Sequence, residues 1–276
     1  MITNKENIQI ISSEPDGFGE YFQKIWKFRN LIWVFAKRDL KVKYSQTWLG
    51  VSWSLLQPLT SLLIFTFFFG YLLHWKSGEL PFPLYVLSGL LGWNFFNYVV
   101  SAGSMSMQES SHLIKKIYFP KSILPFSKVV LGLVELLLSL FILIPLMIYY
   151  QTGFNWQMIF LPFVLLFNLI CALTLVFWVA SLAYKKRDLF HILPYILYFG
   201  IWFTPVFFTE SFLPENLRFL IYFNPMANVV QMWRWVLFGI GSFNFIWLIN
   251  FLLMFIICMF GMYYYNRKES EFADFV

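Results

Sequence analysis

Hydrophobic positions lie in long uninterrupted runs, separated by short polar stretches. Six runs contain roughly twenty or more residues, enough to cross about 30 Å of hydrocarbon at about 1.5 Å per residue. The pattern predicts transmembrane helices at about Leu49–Leu73, Phe82–Met107, Phe126–Tyr149, Ile159–Tyr184, Leu189–Phe208 and Phe243–Tyr264. We therefore expect an all-α polytopic membrane protein with six transmembrane helices.

One apolar stretch, Glu210–Gly241, does not fit a simple crossing. It contains Pro214 and Pro225 as well as the charged residues Glu215, Arg218 and Arg234. A complete crossing here would put the basic C-terminal tail on the other side of the membrane. Because proline is accommodated in a first helical turn, we expect two short helices, Pro214–Phe223 and Pro225–Phe238. They would form a re-entrant hairpin before the last span (about residues 210–241), or alternatively a hairpin lying on the outer surface.

The segment before the first span predicts an amphipathic helix from Tyr21 to Arg38. One side carries Phe22, Ile25, Trp26, Phe28, Ile32, Trp33, Phe35 and Ala36, and the other Gln23, Lys24, Lys27, Asn30, Lys37 and Arg38, with Arg29, Leu31 and Val34 as exceptions. Aromatic residues opposite lysines are typical of a helix in the headgroup plane, and packing on a partner subunit is a compatible alternative. Residues 1–48 are thus predicted to be a cytoplasmic segment with an interfacial helix, followed by a transmembrane domain over residues 49–276.

Composition supports the membrane assignment and charge sets its orientation. The 276 residues are 59% hydrophobic and only 12% charged, which leaves too little polar surface for a water-soluble globule. The net charge of +6 is interpreted as a topology signal, with no nucleic-acid partner expected. All but three of the 20 Lys and Arg residues fall on one side, the exceptions being Lys76, Arg218 and Arg234. The positive-inside rule then predicts two cytoplasmic termini, and Met1–Gly19 lacks the apolar core of a signal peptide.

Motifs for chemistry by the chain itself are missing from the sequence. No GxxxxGK[ST] loop is present, so nucleotide hydrolysis is not expected of this chain. The three histidines have no metal-ligand spacing, and Cys171 and Cys258 lie inside apolar runs, where they resemble small hydrophobic residues. No nucleophile elbow and no carboxylate pair for glycosyl chemistry occurs. We therefore predict a protein that is not an enzyme and holds no metal or cofactor.

Glu135 is the only carboxylate within a predicted span. It lies about 14 Å along its helix, near the membrane midplane, where an ionisable group costs about 2.5–3.5 kcal/mol. One interpretation is that Glu135 faces a solvated conduit or pairs with a basic residue at the bundle interface. The other is a protonated or hydrogen-bonded packing residue, since no charged residue lies at that depth in another predicted span.

Three sequence blocks carry a family resemblance. The block RDLKVKYSQTWLGVSWSLLQPL resembles the entry to the first helix in permease subunits of type-2 ABC transporters that export O-antigen, capsule or teichoic acid. The matching positions are Arg38, Asp39, Tyr44, Thr47, Leu49, Gly50, Trp53, Pro58 and Leu59. Ser110–Val130 is similar to the family's cytoplasmic loop between spans two and three. Thr204–Gly239 is similar to its segment before the last helix, including Asn224-Pro225 and Arg234.

The resemblance implies the permease subunit of an ATP-driven exporter that moves lipid-linked polysaccharide across the cytoplasmic (inner) membrane. Its partners would be a second copy of the chain, two ATP-binding cassette subunits and membrane lipid. ATP and Mg²⁺ would be bound by the ATPase subunits. The alternatives are a type-2 permease for a drug, haem or lipid, and a membrane enzyme or scaffold acting on lipid-linked sugars.

Three groups of residues are predicted to serve these roles. Contacts with the ATPase are expected from Trp26, Lys37, Ser110, Ser111, His112, Lys115 and Lys116, although the lysines could serve topology alone. Aromatic side chains offer flat faces to sugar rings, and the channel candidates are Phe65, Phe68, Phe69, Tyr195, Tyr198 and Trp202. Most of the other aromatic residues would face lipid or pack helices. The candidates for an extracytoplasmic gate are Pro214, Asn224, Pro225 and Arg234.

Overall fold

The computed structural model describes residues 17–45, 47–75 and 77–275, and within these ranges the secondary structure is entirely helical. The α-helices are α1 (Phe18–Lys27), α2 (Arg29–Ser45), α3 (Ser52–Phe65), α4 (Phe82–Glu109), α5 (Ser111–Ile114), α6 (Ile123–Tyr149), α7 (Leu161–Ala183), α8 (Asp188–Gly200), α9 (Phe219–Phe223), α10 (Pro225–Phe238) and α11 (Phe245–Phe275). A π-helix, Thr66–Leu72, continues α3, and a 3₁₀-helix, Trp156–Phe160, precedes α7. The prediction that Met1–Gly19 holds no signal peptide rests mostly on residues outside the described ranges, and Lys5 and Lys76 also lie outside them.

Helix α4 is the centre of the bundle and packs against α6, α7 and α10. Small residues let these helices approach closely: a Cβ at Gly103 would meet a Val176 methyl at 2.9 Å, and one at Gly92 would meet the Trp233 ring at 2.8 Å. In contrast, α3 and α8 pack loosely on this core and leave much of their apolar surface uncovered.

Both described chain ends lie at the same end of the bundle, which we call the termini end. Here the hydroxyl of Tyr21 on α1 donates to Glu269 Oε2 of α11 at 2.6 Å, and the backbone N–H of Lys121 donates to Glu269 Oε1 at 2.8 Å. Burial raises the pKa of Tyr21 well above its ordinary value, and the nearby Glu269 carboxylate raises it further. Tyr21 therefore stays a hydrogen-bond donor that holds α1 to α11. The other end, which carries the connections before α4 and α11, is the loop end.

Four helical segments within the described residues are long and apolar enough to cross a membrane. They are Ser52–Leu72, Ile123–Tyr149, Trp156–Ala183 and Phe245–Glu269. Helix α4 matches its predicted bounds and has 28 residues, but its serine, glycine and asparagine residues make it more polar than these four.

The predicted span Leu189–Phe208 is too long at its C-terminal end. Helical structure stops at Phe203, and the backbone of Thr204 is extended, with φ −111° and ψ 132°. Pro205 explains this boundary, because proline disfavours the helical conformation of the residue before it. The observed apolar helix, Asp188–Phe203, is shorter than the predicted crossing.

The predicted single helix Tyr21–Arg38 is instead two helices separated at Phe28. The second helix, α2, continues to Ser45 and lies along α6, where Asp39 meets Lys128 and Lys43 meets Glu135. The predicted apolar face is therefore divided. Phe35 and Ala36 are buried in protein, whereas Trp26 is 70% exposed.

The predicted hairpin differs in its first part. Instead of one helix over Pro214–Phe223, a 3₁₀ turn at Glu215–Leu217 is followed by the short α9. The second helix, α10, has the predicted bounds. It begins where proline fixes a helical φ, and it ends at Gly239 in the left-handed conformation (φ 69°).

Candidate functional site

A long groove lies between α3 with its π-helical extension, α4 and α8. Its volume is about 740 Å³, and five of the six predicted channel aromatics line it: Phe65, Phe68, Phe69, Tyr198 and Trp202. Tyr195 is not among the lining residues and is 66% exposed. The sequence prediction thus selected a set of side chains that share one surface, although their role in transport stays a prediction.

The aromatic wall of the groove is held by ring packing at the loop end. Phe207, from the extended segment after α8, stacks on Phe65 with centroids 4.9 Å apart and on Phe69 at 5.0 Å. Trp202 packs edge-on against Phe207 at 5.0 Å. Residues on three different elements therefore form one cluster, and the π-helical turn, a feature often found at functional sites, supplies Phe69 to it.

A polar stripe on α4 forms the facing wall. Asn94, Asn97 and Ser101 line both the groove and a second, smaller cavity. Their spacing of three and four residues puts them on one helix face. The sequence prediction missed them because it considered aromatic residues only. Polar residues at helical spacing within a predicted span could have indicated this stripe.

The second cavity, of about 180 Å³, lies nearer the termini end and contains the ion pair of Lys43 and Glu135. The ammonium group of Lys43 also lies 4.7 Å from the ring centroid of Tyr98. Beside it, the hydroxyls of Tyr44 and Ser54 are 2.6 Å apart. The groove and this cavity share one polar wall, so they lie next to each other along α4.

The partner of Glu135 corrects the sequence analysis, which found no charged residue at that depth in another span. Lys43 comes from α2, a helix that was placed at the membrane surface and predicted to end at Arg38. Because α2 runs beside α6 as far as Ser45, its last turn brings an ammonium group to the carboxylate. Of the two interpretations of Glu135, the geometry favours pairing with a basic residue.

A second charged cluster lies one to two turns closer to the termini end. The ammonium group of Lys128 is buried and lies 3.0 Å from Asp39 Oδ2 and 2.8 Å from Glu109 Oε2. Arg38 completes the cluster, with Nη2 2.7 Å from Asp39 Oδ1. The Arg-Asp pair of the first sequence block therefore joins α2 to α4 and α6. A buried cation with two carboxylate partners is expected to hold these helices in one arrangement.

The predicted ATPase contacts lie on α1, on α2 and around α5, at the termini end. Around the short helix α5, the side chains of His112, Lys115 and Lys116 are exposed and Ser111 is half-buried. Ser110 is buried beneath this surface. The loop after α5 packs against α2 through the rings of Phe119 and Phe35, with centroids 5.4 Å apart. Trp26 and Lys37 are exposed on α1 and α2.

The four gate candidates lie at the loop end and have different structural roles. Asn224 caps α10: its Oδ1 accepts from the Met226 N–H at 3.0 Å, and its Nδ2 donates to the Phe203 carbonyl at 3.1 Å. Pro225 is the first residue of that helix, and Pro214 precedes the 3₁₀ turn. Arg234 is buried and donates to the carbonyl of Pro205 at 2.6 Å.

Known proteins resemble this chain over most of its length. The model of the family described as "ABC-2 type transporter" matches residues 30–238. An O-antigen export system permease protein RfbA of Myxococcus xanthus is 29% identical over 214 residues, 77% of this chain and 82% of the relative. A Klebsiella pneumoniae protein of the same name is 25% identical over 89% of this chain and 94% of its own length. Polysialic acid transport protein KpsM of Escherichia coli is 24% identical over 71% of this chain and 77% of its own length.

Proposed function

This chain belongs to the ABC-2 type transporter family, and we propose that it is the permease subunit of an exporter that moves a lipid-linked polysaccharide out of the cytoplasm. The names of its relatives, O-antigen and polysialic acid transport proteins, support the cargo class. The groove carries the structural argument: aromatic rings face a polar stripe on α4, and the same stripe lines the cavity beside the groove. Such a surface contacts sugar rings without binding them tightly, and a conduit must release each unit.

We propose six crossings and two cytoplasmic termini in the inner membrane. The four long apolar segments, α4 and α8 would make the crossings, and α9 with α10 would form a re-entrant hairpin. In this topology the termini end, with most of the basic residues, faces the cytoplasm, as the positive-inside rule requires. The polar character of α4 is compatible with a crossing because the bundle encloses it: 18 of its 28 residues are buried.

We propose that two copies of the chain face each other across α3 and α8. These helices are the least covered of the proposed crossings, and both border the groove. In the single chain Phe68 is 50% and Tyr198 is 66% exposed. A second copy on this side would close the open groove into a conduit and remove those apolar surfaces from lipid or water.

Two ATPase subunits would supply the energy. We propose that they contact the surface formed by α5 and the exposed residues of α1 and α2, which includes Trp26, Lys37, His112, Lys115 and Lys116. The ion pairs from α2 to α6 support this arrangement, because a force applied to α2 would reach the cavity that holds Glu135. This chain binds no cofactor in the proposal, and ATP and Mg²⁺ belong to the partner.

Gene deletion with complementation tests the function. Loss of this chain should remove the long glycan from the cell surface and leave it inside, and inactivating the ATPase should do the same. A Ser61→Trp variant should restore less export than the unchanged chain, because Ser61 lines the groove and an indole would narrow it. Thr60→Trp is the matched control, because Thr60 is the neighbour of Ser61 and its side chain is exposed outside the groove. Normal surface glycan in the deletion strain would disprove the proposed function.

A further inference from the structure

A third cavity, here called the loop-end pocket, lies behind the aromatic wall of the groove. Its volume is about 400 Å³, within the range of small-ligand sites. Residues 205–210, α10, the connection from Ile240 to Asn244 and the start of α11 surround it. It is lined by different residues from the groove, so it is a separate site.

Polar groups from four elements converge in this pocket. The carboxylate of Glu210 accepts from Gln231 Nε2 and, at 3.4 Å, from the Tyr222 hydroxyl. The side-chain carbonyl of Gln231 accepts from Trp247 Nε1, also at 3.4 Å. Two of these bonds are at the long limit, and a carboxylate has about four acceptor positions, so both side chains retain capacity for a ligand.

Arg234 adds a buried positive charge to the wall of the pocket. Its side chain is 4% exposed, and its guanidinium lies 3.5 Å from the ring centroid of Tyr85. Nη2 donates to the carbonyls of Pro205 and Val206, but Nε has no hydrogen-bond partner among the described residues. A buried donor without a partner is unfavourable, and this donor belongs to a residue that lines the pocket.

The pocket and the groove share one wall. Residues 205–210 supply Phe207 to the ring cluster on the groove side and Glu210 to the pocket on the other. Arg234 fixes the same segment by its bonds to two carbonyls. A glycan that leaves the groove at the loop end therefore passes next to the pocket.

We propose that the loop-end pocket binds an uncharged sugar unit of the exported glycan as it leaves the groove. The inference rests on the proposed function and adds a second sugar site to it. The charges of Glu210 and Arg234 offset one another, which favours a neutral ligand. Sugar hydroxyls can donate to the Glu210 carboxylate and accept from the Gln231 amide. Weak, exchangeable contacts of this kind would hinder backsliding of the chain without trapping it.

Cysteine labelling of the purified transporter with its ATPase in nanodiscs tests the pocket. Ser242→Cys places a thiol at the pocket lip, and Asn216→Cys places one on exposed surface outside it. The native Cys171 and Cys258 are buried and should react slowly. The probe is a charged maleimide, added with and without polysaccharide released by mild acid from the same strain. Polyethylene glycol of equal size controls for crowding.

Polysaccharide at about ten times its dissociation constant should slow labelling at position 242 about tenfold and leave position 216 unchanged. Adding Glu210→Gln to the Ser242→Cys protein should reduce this protection. Equal labelling with and without polysaccharide, or equal slowing at both positions, would overturn the inference. The proposed function is tested separately: if deletion stops export while position 242 is unprotected, only the pocket inference fails. If export continues without the chain, the proposed function itself fails.

Discussion

The ion pair between Lys43 and Glu135 should have a measurable coupling energy. Double-mutant cycles give couplings of up to about 3 kcal/mol for residues in one salt-bridge network and about 0–1 kcal/mol for an exposed ion pair. The side chains of Lys43 and Glu135 are 36% and 23% exposed, so this pair lies between these limits. We expect a coupling of about 1–3 kcal/mol.

The single variants should differ in severity. Lys43→Met leaves the Glu135 carboxylate without its cation in the cavity and should destabilise the protein most. Glu135→Gln keeps an acceptor for the Lys43 ammonium and should be milder. The double variant has no unpaired charge and should be more stable than the sum of the single changes implies.

Unfolding in mixed micelles by SDS titration measures this cycle on the purified transporter. The pair of Arg218 and Glu215 is the control, because its atoms are 3.9 Å apart and the Glu215 side chain is 90% exposed. Its coupling should be about 0–0.5 kcal/mol. Equal coupling in the two cycles would refute the structural role of the Lys43–Glu135 pair. Unchanged export and folding in Glu135→Gln would exclude a need for an ionised carboxylate there.

Three further predictions concern the groove, the partner surface and helix packing. Phe68→Ala should reduce the rate of glycan export several-fold, because Phe68 lines the groove. Phe67→Ala is the control and should not reduce it, because Phe67 is equally exposed but does not line the groove. Equal export rates for the two variants would contradict this prediction. Lys115→Glu with Lys116→Glu should lower the polysaccharide-stimulated ATPase activity of a correctly inserted complex, and undiminished coupling would remove these lysines from the interface. Gly89→Ala should lower the stability by about 1–3 kcal/mol in the same SDS titration, because its Cβ would lie 2.7 Å from the Val206 carbonyl oxygen. Gly19→Ala, with nothing within 4 Å of the new Cβ, should be neutral or stabilising, and equal losses for both would refute the packing argument.

Hydrophobic runs predicted most of the helices because a span must satisfy its own backbone hydrogen bonds. The predicted bounds of α4 and α10 agree with the observed bounds to within two residues. The end of α8 did not, since the apolar run continues past the proline that stops the helix. Composition alone cannot locate such a boundary, although Pro205 could have indicated it.

The candidate site was predicted in part. Aromatic character identified five residues of one groove wall, but it could not exclude Tyr195. This residue lies on α8, as Tyr198 does, but its side chain is exposed outside the groove. The partner of Glu135 is 92 residues away in the sequence, and only the packing of α2 on α6 brings it near. The division of the N-terminal helix at Phe28 was also missed, although Arg29, Leu31 and Val34, which follow the break, do not fit the predicted amphipathic pattern.

Photo-crosslinking at the groove tests the central claim most directly. Benzoylphenylalanine at position 68 replaces one aromatic residue by another in the groove wall, and the same group at Phe141, which is 67% exposed on α6, is the control. Illumination during ATP-driven export should attach glycan to the protein at position 68 and not at position 141. Glycan attached equally at both positions, or at neither while export continues, would contradict a path for the glycan along α4.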